Sequence, residues 1–333
     1  MAPDMPQATP ISHPTLISHP HGITAVDTDY IRPGLAAAHI IVHGGSAGAD
    51  ERRAAFVDVG TNHSVPRLLA ALAALDIARE AVEYVFLTHV HLDHAGGAGA
   101  LIRELPNARA VVHPRGAPHM ADPARLIRAS IAVYGEATYR ALYGDLVPIP
   151  PERLRVMRDG ERIDLAGREL LLIDTPGHAL HHYSIVDAGY GNIFTGDTFG
   201  LSYRELDTAV GAFVVPTTTP TQFDPDQLIA SIDKLLGYAP QAAYLMHYSR
   251  VTDLPRLAES LKRQIRELAA IARSRAGAPD RASAIRADMR ALWVDLARRH
   301  GIEHPESRVD AVLDKDLELN TQGLVAWLDR VAR

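Results

Sequence analysis

The sequence contains no cysteine. That excludes disulfides, thiolate nucleophiles and cysteine-ligated zinc, so any metal must rest on histidine and carboxylate. The absence suits a reducing cytoplasm. Long apolar runs are also missing, and no window reaches the length of a transmembrane span. Residues 1–20 are rich in Pro, Ser and His, are expected to be flexible, and hold no apolar stretch long enough for a signal peptide. A soluble cytoplasmic protein without a membrane partner is the expectation. Positive charge is scarce: the net charge is −6, with 15 Lys+Arg against 12 Asp+Glu from Leu254 onward and 19 against 28 before it. An acidic body argues against nucleic acid, which requires a basic stripe. It leaves room for a small anionic substrate, because bound cations would dominate the local field. Tandem repeats and low-complexity tracts are absent. What remains is a 333-residue chain, 47% hydrophobic, sufficient for one large α/β domain with an appendage.

Against this background the run Thr88-His89-Val90-His91-Leu92-Asp93-His94-Ala95-Gly96-Gly97 stands out. It follows a short apolar segment, Tyr84 to Leu87, that reads as a buried strand. A strand releasing His-x-His-x-Asp-His into a glycine-containing turn makes a concave donor cluster that folding does not require. Borderline-soft cations such as Zn²⁺ take such nitrogen and oxygen donors. The alternating His89 and His91 can serve one metal, and Asp93 and His94, across the turn, can face a second. The alternative, a solvated histidine-rich loop, is the weaker reading for this composition at a strand end.

Apolar runs at Gly22–Val26, Ala38–Val42 and Ala54–Val59 predict strands, the third closing on Asp58-Val59-Gly60-Thr61. Further strands are expected at Ala110–Val112, Leu170–Ile173, Tyr183–Val186, Ile193–Thr195 and Ala242–Met246. Helical spacing is present around Val65–Leu75, Ala98–Leu105 and Leu228–Leu236, and Leu126–Leu146 reads as an inserted helix carrying Tyr134, Tyr139 and Tyr143. From Leu254 the pattern is helix only: Leu254, Leu257, Leu261, Ile265 and Leu268 step by three and four, Ile285 to Leu296 repeat this, and a third region spans Val309–Val331. The expected division is 1–20, a body at 21–250 and a helical extension at 251–333.

Three more strand ends carry metal-compatible residues: Asp174-Thr175-Pro176-Gly177-His178, Thr195-Gly196-Asp197-Thr198 and Met246-His247-Tyr248. Singly, His178 or His247 reads as an ordinary core histidine and Asp197 as a turn former. With the first cluster they make seven donors at strand-end loops, where α/β scaffolds assemble sites.

In this pattern the chain resembles the metallo-β-lactamase fold superfamily over roughly residues 20–250. The resemblance implies an αββα sandwich, here with an all-helical C-terminal extension. It implies that His89, His91 and His178 bind one metal, that Asp93, His94 and His247 bind another, and that Asp197 bridges the two. Asp58 stands where the superfamily keeps an acidic residue supporting the ligands; turn stabilisation is its competing role. His182, four residues after His178, is expected to orient a ligand without being one. Two divalent cations are implied, zinc by default, with iron or manganese as alternatives. Two cations roughly 3.5–4 Å apart share a water and lower its pKa to produce a bridging hydroxide, and Asp93 can help to handle the proton.

The expected activity is hydrolysis of a small ester-like molecule, thioester or lactone, with a phosphodiester or a binding role with little turnover as alternatives. True β-lactamases of this fold use a cysteine ligand or lack the bridging aspartate, unlike this chain. Glyoxalase II-like thioesterases carry C-terminal helices similar in placement, but the cysteine that commonly follows their Thr-Gly-Asp-Thr segment is absent here. Lactonases place a tyrosine three residues after the bridging aspartate, where this chain has Gly200. Tyr203, Arg204, Tyr248 and Arg250 follow ligand-bearing loops and are candidate substrate contacts. The tyrosines of the inserted helix are candidate lid residues, as is the Pro216–Pro225 loop for the entrance. The C-terminal helices could close the cleft or pair two copies of the chain.

Overall fold

The computed structural model describes residues 14–45, 51–218 and 221–332. Strands β1 (Leu16–His19), β2 (Ile23–Asp27), β3 (Ala37–His43), β4 (Arg53–Val57), β5 (Val82–Leu87), β6 (Arg109–Val112) and β7 (Leu154–Val156) form one sheet in chain order. The pairs from β1 to β4 are antiparallel, and those from β4 to β7 are parallel. The second sheet runs β13-β12-β11-β10-β9-β8, from β8 (Arg162–Leu165), β9 (Arg168–Asp174), β10 (Tyr183–Asp187), β11 (Asn192–Gly196), β12 (Ala242–Leu245) and β13 (Ser249–Val251). Only β11 and β12 pair in parallel within it.

Side chains alternate along each strand, so every sheet has an inner and an outer face. Ile23, Ile41, Val57, Phe86 and Val111 from the first sheet meet Leu170, Leu172, Tyr183, Ile185, Phe194 and Tyr244 from the second in one buried layer. Helices α1 (Val65–Ala74), α2 (Leu92–Ala95), α3 (Ala98–Glu104) and α4 (Ala117–Ala121) follow the first sheet's strands, and α1, α3 and α4 cover its outer face. Helices α5 (Ala124–Tyr134) and α6 (Glu136–Tyr143) make the insertion, broken at Gly135, whose φ of +78° glycine adopts without strain. Helix α7 (Pro225–Leu236) and the C-terminal α8 (Leu254–Arg275), α9 (Arg281–Arg299) and α10 (Pro305–Val331) cover the outer face of the second sheet. The result is the expected αββα sandwich with an all-helical extension.

One expectation needs adjusting. The N-terminal segment was expected to be flexible through residue 20; residues 1–13 lie outside the described ones, and Leu16–His19 pair with β2 as an edge strand. Strand β7, which follows the insertion, still belongs to the first sheet. The C-terminal helices share a single hydrophobic cluster with the second sheet, Leu257, Leu261, Trp293 and Leu313 packing with Ile173, Phe199 and Leu245. Among the described residues no helix is long and apolar enough to cross a membrane.

Candidate metal centre

Parallel pairing brings the chemistry-bearing loops together. Strands β4 and β5 run side by side with Val57 opposite Phe86, so Asp58 and Thr88 leave neighbouring strand ends. The β11–β12 pair likewise sets Gly196 beside Leu245, and Asp197 and His247 follow in adjacent loops. His178 lies in the connection between antiparallel β9 and β10, where Asp174 faces Tyr183. All five loops open at the same end of the sandwich.

Three sets of donor atoms lie within 4.8 Å of one another: His89, His91 and His178; Asp93, His94 and His247; and His89, His94 and Asp197. Nε2 of His178 is 3.1 Å from Nδ1 of His91. Asp197 reaches toward both halves, with Oδ2 3.5 Å from His178 Nε2 and Oδ1 3.1 Å from His94 Nε2. Asp93 Oδ2 lies 3.3 Å from His247 Nε2. The seven residues expected as ligands are thus all brought together.

The hydrogen bonds behind these atoms decide which lone pairs face inward. Asp58 accepts from Thr88 N at 2.9 Å and from Thr88 Oγ1, and its Oδ2 takes the Nδ1 proton of His94 at 2.9 Å. Since the Thr88 hydroxyl donates to Asp58, its oxygen can accept from His89 Nδ1 at 3.2 Å. Thr217 Oγ1 donates to the Asp197 carbonyl and accepts from His178 Nδ1, both at 3.0 Å. His247 Nδ1 donates to the Leu35 carbonyl at 2.9 Å. In each case Nδ1 is tied off and Nε2 is the atom turned to the cluster, the arrangement that metal-bound histidine uses. His89 Nε2 is buried without a partner, and the buried His94 Nε2 and Asp197 Oδ1 have only each other, at 3.1 Å. Buried polar atoms without partners are costly, and divalent cations would satisfy all three. The residues therefore fit a metal centre.

Charge tells the same story. Burial and the neighbouring imidazoles hold His89 and His91 well below the ordinary histidine pKa, leaving neutral donors. Burial works against charge on His94 too, yet Asp197, Asp58 and Asp93 outweigh it and push its pKa well above the ordinary value. Burial also opposes ionisation of Asp93, but His94 and His247 overcome it and hold Asp93 down to about 2. The acidic half of the cluster thus takes a proton where a metal ion would otherwise supply positive charge.

His182 sits beneath the cluster. Its Nε2 accepts from the Asp197 backbone N–H at 3.2 Å, and Nδ1 lies 2.9 Å from Thr175 Oγ1 and 3.1 Å from Thr198 Oγ1. Both nitrogens are used in holding the Asp197 loop. Gly196 makes this approach possible: a Cβ there would stand 2.6 Å from both His182 Nε2 and Thr88 Oγ1.

The four candidate substrate contacts divide. Tyr203 lines a cavity of about 460 Å³ that opens over Asp93, Asp197 and His247. Tyr248 turns its hydroxyl to Asp27 at 3.4 Å. Arg204 bonds the Ser202 carbonyl and pairs with Asp207 at 3.2 Å, and with Arg250 it lines a separate cavity. These two follow ligand loops in sequence, but strand alternation and a short 3₁₀ turn carry them elsewhere. Much of the cavity wall was not anticipated: Leu126, Ala129 and Val133 of α5, and Ala311, Asp316 and Leu319 of α10. Tyr143 reaches the cavity, whereas Tyr139 packs beside Leu92, and the Tyr134 side chain lies outside the described residues. Of the proline-bounded loop, Thr217, Thr221 and Gln222 line the wall. Asn320 of α10 fastens that loop, bonding the backbone and hydroxyl of Thr218 and the Pro216 carbonyl.

Comparison with known proteins agrees with this construction. The metallo-beta-lactamase fold-containing protein ST1585 of Sulfurisphaera tokodaii is 25% identical over 249 residues, covering 74% of this chain and 83% of its own. A hydroxyacylglutathione hydrolase of Aeromonas hydrophila is 32% identical over 149 residues; the match spans 44% of this chain and only 43% of that enzyme. In fold, the metallo-beta-lactamase family protein TTHA1429 of Thermus thermophilus superimposes with a TM-score of 0.63 at 20% identity, covering 96% of this chain and 93% of its own. That coverage takes in the C-terminal helices as well as the sandwich. The family model for the metallo-beta-lactamase superfamily matches residues 47–247, and the chain belongs to that superfamily of hydrolases.

Proposed function

We propose that the protein is a dinuclear metal-dependent hydrolase acting on a small ester-like substrate, a thioester or a lactone. The observation that carries this reading is the set of inward-facing donor atoms, divided between His89, His91 and His178 on one side and Asp93, His94 and His247 on the other, with Asp197 between. When bound, a pair of divalent ions, zinc by default, supplies Lewis acidity and ionises water near neutral pH. The chain's own residues do the rest. Asp58, Thr88, Thr217 and the Leu35 carbonyl fix the imidazole tautomers, and His182 holds the Asp197 loop in place. Asp93, with a side chain 24% exposed, is the carboxylate that faces the cavity and can carry a proton to a departing oxygen or sulfur. Tyr203, 2% exposed, lines the cavity wall with its hydroxyl donated to Asp316 Oδ1 at 3.3 Å.

The hydroxyacylglutathione hydrolases among the relatives favour a thioester; the matches span 37% to 54% of those enzymes. Metal-loaded protein is to be assayed against thioester, lactone and bis-p-nitrophenyl phosphate panels, with Asp93→Ala and His91→Ala as references. Turnover of thioesters or lactones well above both variants is expected. Phosphodiester turnover alone would move the substrate class. Activity no higher than the variants on every panel would overturn the hydrolase reading.

A further inference from the structure

The cavity over the metal centre has two contrasting features. Both helices put apolar side chains on its wall, Leu126, Ala129 and Val133 from α5 and Ala311, Val312 and Leu319 from α10, the latter interspersed with Asp314, Lys315 and Asp316. At the mouth, Val133 is 42% exposed and Ile31 is 53% exposed. Both are among the few large hydrophobics left in water by the described residues, and both line this cavity. Exposed apolar groups gathered at one opening mark a surface that a ligand covers. The second feature is charge. Among the charged groups the two helices and Arg32 bring to the wall, Arg32 pairs with Glu205, Lys315 with Glu318 and Asp314 with Arg286, while Asp316 accepts from the Tyr203 hydroxyl. Arg125 also lines the wall, and among the described residues it has no carboxylate partner. Arg125, Ala129 and Val133 stand at i, i+4 and i+8, so they share one face of α5. That face places a single cation at one end and an apolar stripe running roughly 12 Å away from it.

We propose that the substrate is an amphipathic anion: an ester or thioester with an apolar chain lying between α5 and α10 and a phosphate or carboxylate held by Arg125. This rests on the hydrolase reading above and specifies its substrate class. Arg presents a fork of donors suited to either oxyanion, and the alkyl chain would withdraw the rim of Ile31 and Val133 from water.

The test uses metal-loaded protein and thioesters of increasing chain length, acetyl to octanoyl, on three carriers: neutral N-acetylcysteamine, phosphate-bearing coenzyme A and carboxylate-bearing glutathione. KM should fall by about fourfold per methylene until the groove is filled. Ala129→Trp and Val133→Asp should flatten that series. Arg125→Glu should raise KM by about tenfold on a charged carrier and leave the neutral carrier unchanged. All three positions are exposed, so the fold is not at stake. An Arg125 effect confined to coenzyme A assigns phosphate, and one confined to glutathione assigns carboxylate. A flat chain-length series, or an Arg125 effect equal on all carriers, overturns the proposal while leaving the hydrolase reading intact. If no thioester turns over, the hydrolase reading fails separately. Titration of the metal-loaded protein with octanoate and acetate then decides: tighter octanoate binding that Ala129→Trp abolishes supports the groove, and equal affinities refute it.

Discussion

Substituting Asp58 by Asn should weaken one metal site and spare the other. Asp58 Oδ1 accepts from the Thr88 backbone N–H, a group that can only donate, so the amide oxygen of Asn must stay on that side. The amide NH₂ then faces His94 Nδ1, which in the native protein lies 2.9 Å from Oδ2 as a donor. An NH₂ there makes Nδ1 an acceptor and moves the imidazole proton to Nε2, the atom aimed at the cluster. Without that lone pair the Asp93–His94–His247 half loses a donor, whereas His89, His91 and His178 keep theirs. Removing a partner behind a metal ligand costs 10–100-fold in affinity, or about 1.4–2.7 kcal/mol. The backbone should tolerate the change, because Asp58 has φ +57° and Asn enters that region more readily than most residues. The assay is metal content per chain at graded free zinc, with calorimetric titration. We expect two ions in the native protein, and in Asp58→Asn one ion bound as before and a second weakened by that factor. Two ions bound within threefold of native affinity would refute the tautomer argument.

Gly196→Ala should lower the melting temperature and weaken metal binding. The new Cβ would meet His182 and Thr88 at 2.6 Å, and overpacking of this kind costs about 1–3 kcal/mol, so an unchanged melt would count against the packing described. Burial pushes Asp316 up to about 7, against the weaker opposing pull of His247, Tyr203 and Arg32. A carboxyl whose folded pKa lies above its unfolded 3.8 loses stability as pH rises between the two values, so metal-free Asp316→Asn should match the native protein near pH 4 and exceed it at pH 8. The full shift is worth about 4 kcal/mol, and the part of the side chain facing cavity water reduces that to about 2 kcal/mol, read from denaturant melts at the two pH values. Metal loading at pH 7.5 should release protons, since the raised pKa of His94 keeps it charged until a cation displaces its proton. Dye-monitored titration in weak buffer would show this, and zinc at 1,000 times Kd should add about 4 kcal/mol to stability. Silent proton readings would contradict the assigned charge state.

The donor residues were legible in the sequence because each sits at or near the end of a strand whose apolar run marks it. Parallel pairing then does the assembly, as where Val57 beside Phe86 sets Asp58 against Thr88. The cavity wall was not legible in the same way. Leu319 and Val133 lie far apart in the chain, and each obeys ordinary amphipathic spacing, so nothing local marks them as sharing a groove. Arg250 misled for the opposite reason: close to His247 in sequence, it belongs to β13, which leaves the centre within a few residues. The edge strands β1 and β7 escaped notice because four or three residues with mixed burial carry too weak a period.

The clasp between Asn320 and Thr218 has a thermodynamic corollary. Thr217, the neighbour of Thr218, holds His178 Nδ1, so α10 and a candidate metal ligand are joined through two adjacent residues of one loop. Coupling of that kind is reciprocal. If metal binding steadies the loop, it also slows amide hydrogen exchange in the middle of α10, and loosening α10 weakens metal binding by the same factor. A substitution at Asn320 would be felt as a change in zinc affinity, although the residue touches no ligand. The last helix of the chain thus serves the metal centre as a distant buttress whose rigidity can be tuned.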